Sequence, residues 1–73
     1  MYKWTASNNN SFLQGPRTAK SILAAVRAGR HYVWSELYGE GMVVIMDMDD
    51  TIIRTDERGL QTGYRWVVNT DRR

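Results

Sequence analysis

The chain has 73 residues, enough for one small domain, and with no cysteine and a single histidine it offers neither a disulfide nor the ligands of a structural zinc site. Apolar residues make up 42% of the sequence and charged residues 25%, which is typical of a globular domain and excludes a disordered chain. The formal net charge of +2 is below that of a dedicated nucleic-acid binder. Without a signal peptide or an apolar run of about 20 residues, we expect a single cytoplasmic domain over residues 1–73.

The N-terminal part of the chain predicts a short strand followed by a polar loop. Tyr2 and Trp4 alternate with Lys3, as in a strand that has one buried face. Asparagine and serine then dominate residues 7–11, and their side chains favour turns because they bond to the nearby backbone. We therefore expect a loop over residues 6–15.

An amphipathic helix is predicted over residues 16–28. Pro16 suits a first helical position, and Gly29 suits the left-handed residue that often follows a helix. The apolar residues that share one side at helical spacing, and are expected to cover the core, are Ala19, Ile22, Leu23 and Val26. The cations of the opposite side and of the helix end are Arg17, Lys20, Arg27 and Arg30.

Beyond residue 30 the pattern changes to period two, with many β-branched and aromatic residues, which predicts strands. Their expected bounds are residues 31–38, 42–48, 51–55 and 63–69. Two glycine-containing turns are expected between them, at residues 39–41 and 56–59. We expect Trp34 and Trp66 to pair across strands in the core.

Short connections between consecutive strands favour an antiparallel sheet. The sequence therefore predicts an α+β fold in which one amphipathic helix packs on a three- to four-stranded, mainly antiparallel sheet, in the order β-α-β-β-β. One face of such a sheet stays uncovered by the helix.

The segment 43–51 is an apolar strand that runs into D-x-D-x-T, and it resembles the first motif of the haloacid dehalogenase-like phosphatases. By this resemblance Asp47 would be the nucleophile and Asp49 the general acid of a metal-dependent phosphatase. That family also uses a lysine downstream of the motif, whereas Lys3 and Lys20 both precede it. The simpler interpretation is a solvated acidic turn at a strand end, which could bind a cation weakly. We predict no catalytic residue, no resident metal and no cofactor.

Two surfaces are candidate binding sites. The cations of the helix could contact nucleic-acid phosphates or an acidic protein, although the helix dipole and solvation also favour cations on an outer helix face. The second surface is a methionine patch on one strand face, which could bind a partner or form a homodimer through the open sheet face. Its residues are Met42, Met46 and Met48.

From these observations we expect a small non-enzymatic interaction protein that binds and modulates a macromolecular partner, as accessory or phage-type regulators do. A protein partner is the first expectation. Nucleic acid is the alternative partner, and no membrane partner is expected.

Overall fold

The computed structural model describes residues 1–59 and 63–67, which form one helix and five strands. Their bounds are β1 Tyr2–Ser7, β2 Arg17–Ala19, α1 Ile22–Glu36, β3 Gly41–Met46, β4 Ile52–Gly59 and β5 Gly63–Val67. Every neighbouring pair is antiparallel, in the sheet order β2-β1-β3-β4-β5. The predicted α+β class, with one helix packed on a mainly antiparallel sheet, is confirmed. The short strand β2 adds an element before the helix.

The helix begins later in the chain than predicted. Its N-cap is Ser21, whose hydroxyl accepts a hydrogen bond from the N–H of Ala24 at 3.0 Å and so satisfies one of the free donors of the first turn. The residues just before it form β2, because Arg17–Ala19 pair with Tyr2–Trp4 of β1. The predicted helix over residues 16–28, and its start at Pro16, are therefore wrong.

The predicted strand over residues 31–38 is wrong as well, since most of this segment is the second half of α1. Its buried positions follow one another at intervals of three or four residues, which is helical spacing: Val26, Gly29, Val33 and Leu37. Gly29 does not end the helix. A β-carbon on Gly29 would lie 2.3 Å from Cγ1 of Val43, so the glycine lets α1 approach β3 closely.

The core lies between α1 and the strands β1 and β3. The helix packs on β1, β3 and the edge strand β2, while β4 lies beside it. Buried side chains come from both layers: Trp4, Ala6, Val43 and Ile45 of the sheet and Ala25, Val26 and Val33 of the helix. The predicted apolar helix face is correct for Val26 and wrong for Leu23, which is 57% exposed.

The C-terminal strands depart from the prediction at their ends. β3 stops at Met46, because the chain turns from Asp47 onward, and β4 runs through Gly59 instead of ending at residue 55. The predicted loop at residues 56–59 is therefore part of a strand. β5 agrees with the predicted strand 63–69 as far as Val67, and residues 68–69 lie outside the described residues.

Candidate functional site

The acidic segment after β3 is a turn whose geometry depends on Asp47. One carboxylate oxygen of Asp47 accepts hydrogen bonds from the N–H of Asp49 at 2.8 Å and from that of Thr51 at 2.9 Å. Asp50 adopts the left-handed backbone, with φ 68°, which short polar residues tolerate better than most. The D-x-D-x-T spacing thus closes the β3–β4 turn, and Lys3 bonds to the Asp50 carboxylate.

Of the two residues suggested by the phosphatase resemblance, Asp47 accepts these hydrogen bonds with its carboxylate, and Asp49 donates one of them from its backbone N–H. Among the residues that the structure describes, no group of three or more His, Asp or Glu side chains is arranged to hold a metal ion.

The four predicted cations do not share one helix face, because the helix starts at Ile22. Arg17 lies on β2, with its guanidinium 5.8 Å from the ring centroid of Trp4 and 5.6 Å from that of Tyr32. Lys20 is exposed in the connection between β2 and α1. Only Arg27 and Arg30 lie on the helix. The predicted basic stripe is therefore divided between two regions of the surface.

The predicted methionine patch spans the open face of the sheet and the turn below it. Met42 and Met46 alternate along β3 with residues buried under the helix, so their side chains belong to the opposite face of the sheet. Both are half-buried between neighbouring strands. Met48 lies in the β3–β4 turn and is 51% exposed. A role of this patch in binding stays a prediction.

A surface that the sequence did not indicate lies along one side of α1, next to β4. Its helix residues recur at intervals of three or four, which places them on one stripe: Leu23, Arg27, Arg30 and Trp34. Trp34 is 63% exposed, so the expected core pairing with Trp66 is wrong for Trp34, and the side chain of Trp66 lies outside the described residues. We call this stripe, together with Arg54, Asp56 and Arg58 of β4, the Trp34 surface.

An ion triad joins the helix to β4 at the centre of the Trp34 surface. Asp56 is fully buried, and its Oδ2 accepts hydrogen bonds from Nε and Nη2 of Arg30 at 3.0 and 2.7 Å. Its Oδ1 accepts one from Nε of Arg54 at 2.8 Å. The two arginine side chains remain 37% and 31% exposed. Among the described side chains of this corner, two guanidinium groups therefore share one carboxylate.

Arg58 makes a second link between β4 and the helix. Its guanidinium carbon lies 5.5 Å from the ring centroid of Trp34, a cation–π arrangement that restrains the exposed indole. Beyond Arg58, an open depression of about 740 Å³ lies at the end of the sheet, between the Asn8–Asn10 loop and the ends of β3 and β4.

The signal for this surface was present in the sequence but was hidden by Gly29. Interpreting that glycine as a helix end separated Leu23 and Arg27 from Trp34. Continuing the helical period through residue 29 brings all four stripe residues to one side. The pairing of Asp56 with Arg30 had no sequence signal, because it joins residues that are distant in the chain.

Comparison with known proteins gives no match to a protein-family model, to a curated protein or to a solved structure. Within the described residues, no helix has the length and apolar content needed to cross a membrane.

Proposed function

We propose that the protein is a non-enzymatic binding protein that modulates a macromolecular partner, and that it binds this partner through the Trp34 surface. One observation carries the proposal. Leu23 and Trp34, exposed by 57% and 63%, lie on the same helix stripe with arginines between them. Single exposed apolar residues are ordinary, but Trp and Arg together are the residues that most often dominate the binding energy of protein interfaces.

The ion triad gives independent support. Buried ion pairs add little stability over apolar residues of similar size, because removing the charges from water costs about as much as their attraction returns. Asp56 does, however, hold Arg30 and Arg54 in fixed positions on the surface. Fixed side chains lose less conformational entropy on binding, so the triad favours recognition more than it favours folding.

Nucleic acid is the second candidate partner. Arginines can neutralise phosphates, and the exposed indole of Trp34 could stack on an unpaired base. Such binding would weaken steeply as salt concentration rises, because it releases counterions.

Site-specific photo-crosslinking in the cells that make the protein tests the proposal. A photoreactive benzoylphenylalanine would replace Leu23 in one variant and Lys20 in a control variant. Both positions are exposed, but Lys20 lies beside β2, at the far edge of the sheet from β4 and β5. Circular dichroism would check that both variants fold.

We expect a defined covalent adduct from position 23 and none from position 20. Mass spectrometry of the adduct would identify the macromolecule. Absence of an adduct at position 23, or equal adducts at both positions, would contradict the proposal.

A further inference from the structure

The helix and β4 meet in a step on the protein surface. α1 covers β1 and β3, and β4 continues the sheet beyond it, so the side of the helix is a wall above β4, on which Arg54 and Arg58 are half-buried and Asp56 is buried. Contacts across the corner are made by charged side chains, Arg30 with Asp56 and Arg58 with Trp34. An elongated partner segment that lies parallel to the helix would contact wall and floor together.

The step is cationic. Its described charged side chains are four arginines and one carboxylate, which gives a net charge of +3: Arg27, Arg30, Arg54, Arg58 and Asp56. The planar guanidinium group matches a carboxylate in a bidentate geometry and sheds water more readily than an ammonium group does. The charge of the step therefore complements an acidic partner.

Apolar side chains lie at both ends of the step. Leu23 and Trp34 are eleven positions apart on α1, which corresponds to about 16 Å along the helix axis. A nucleic acid could stack a base on Trp34, but its chain of phosphates offers little that would bury Leu23. A polypeptide supplies carboxylates and apolar side chains together, so the two ends favour protein over nucleic acid.

We infer that the Trp34 surface binds an acidic segment of a partner protein, with carboxylates on the arginines of the step and two apolar side chains on Leu23 and Trp34. This inference rests on the proposed function and adds the chemistry of the partner. In an extended segment, apolar side chains about 16 Å apart are about five residues apart.

Selection from a library of random peptides displayed on phage tests the inference directly. The bait is the full chain, and the same selection is repeated on Leu23→Ser and Arg27→Glu. Two matched control variants are Phe12→Ser, which changes an exposed apolar residue outside the step, and Lys20→Glu, which reverses an exposed cation outside the step. A short fluorescent oligothymidylate is titrated against all five proteins.

We expect the enriched peptides to carry net negative charge and two apolar residues about five positions apart. Their affinity should fall about tenfold or more in Leu23→Ser and in Arg27→Glu, and less than about threefold in the two control variants. Oligothymidylate should bind at least about tenfold more weakly than the selected peptides at physiological salt.

Three outcomes would overturn the inference. Enrichment of neutral or basic peptides, or no enrichment, rejects an acidic segment. Equal losses of affinity in Arg27→Glu and Lys20→Glu show attraction to net charge without a defined site. Preferential binding of oligothymidylate that is weakened in Leu23→Ser and in Arg27→Glu rejects a protein partner but leaves the proposed binding surface standing. The crosslinked adduct then identifies which class of macromolecule binds there.

Discussion

The side of the sheet that faces the helix has two halves with opposite chemistry. Under α1, the alternate residues of β1 and β3 are apolar and buried, as Trp4 and Ile45 show. On β4, the residues that pair with this apolar set along β3 are charged: Arg54, Asp56 and Arg58. The boundary runs along the helix, between Gly29, which touches β3, and Arg30, which bonds to Asp56.

The difference shows that an apolar core and a charged surface can be built on one sheet face of a small protein. The apolar half gains stability from area removed from water and from close packing. The charged half uses the same alternation of side chains to hold guanidinium groups in place, at little net gain in stability. Substitutions in the two halves should therefore differ in what they disturb.

The largest loss of stability is expected when the buried Asp56 side chain loses both of its arginine partners. The double variant Arg30→Met and Arg54→Met retains most of the packing of the two side chains and leaves a carboxylate in a fully buried position. We expect the free energy of unfolding to fall by about 3–5 kcal/mol, which for a domain of this size can abolish folding. Urea denaturation followed by circular dichroism would measure it.

A triple variant that adds Asp56→Leu to that pair is the matched control. It replaces the whole triad with apolar residues, and we expect it to recover most of the lost stability, since such replacements are often neutral or stabilising. It should nevertheless fail to bind the selected acidic peptides. A triple variant as unstable as the double variant would show that the charged half is structural after all.

The next effect is expected at the boundary, from Gly29→Ala. Alanine favours the helix by about 1 kcal/mol, but its β-carbon would lie 2.3 Å from a stiff, buried Val43 side chain. We expect a net loss of about 1–3 kcal/mol in the free energy of unfolding, from forced separation of α1 and β3.

A double-mutant cycle with Val43→Ala tests whether this contact is the cause. Removing the valine methyl groups makes room for the new β-carbon, so Val43→Ala should cost less in the Gly29→Ala background than in the original chain. Strict additivity of the two losses would contradict the close-contact explanation.

Gly29 also shows why part of the fold could not be predicted from sequence. The helical spacing of Val26, Val33 and Leu37 is local information, but a glycine inside it is equally typical of a helix end. Only the contact with Val43 decides between the two interpretations, and that contact is tertiary. Ser21, in contrast, is of a residue type that is typical of a helix N-cap, and its hydroxyl does cap α1. Pro16 instead indicated an earlier helix start.

The charged half shows more strongly that tertiary contacts cannot be predicted from a local sequence pattern. Asp56 begins a run of residues typical of a turn, but it pairs with Val43 in the sheet, and Arg30 and Arg54 satisfy its buried carboxylate. The fold class, the acidic turn after β3 and the last strand as far as Val67 followed from periodicity and turn chemistry, which act over a few residues. The Trp34 surface could not be predicted in this way, because its residues are brought together only when the helix bounds are correct.

A smaller effect on stability is expected at the end of the apolar half, where hydrogen bonds of Asn8 connect the end of β1 to the end of the helix. Its side-chain N–H groups donate to the carbonyls of Leu37 at 3.4 Å and Glu40 at 3.1 Å, and its Oδ1 accepts from the backbone of Asn10 and Ser11. We expect Asn8→Ala to lower the free energy of unfolding by about 1–2 kcal/mol.

Asn9→Ala is the matched control for Asn8→Ala, because Asn9 is an exposed neighbour of the same type. It should change the unfolding free energy by less than about 0.5 kcal/mol. Similar losses in both variants would mean that the loop composition, and not the hydrogen bonds of Asn8, stabilises this end of the apolar half.

The smallest effect is expected at Tyr38, just after the helix, and it is a gain. Tyr38 has φ 59° and a 90% exposed side chain, so it occupies a left-handed position that glycine adopts without steric cost. Tyr38→Gly should raise the free energy of unfolding by less than about 1 kcal/mol, and Tyr38→Ala, which keeps the strained backbone, should give no gain.

Because Tyr38 lies outside the helix stripe, binding of the selected peptides should be unchanged in both variants. A stabilised Tyr38→Gly that loses this binding would instead extend the recognition surface from Trp34 to the end of the helix, and would give the strained backbone a function.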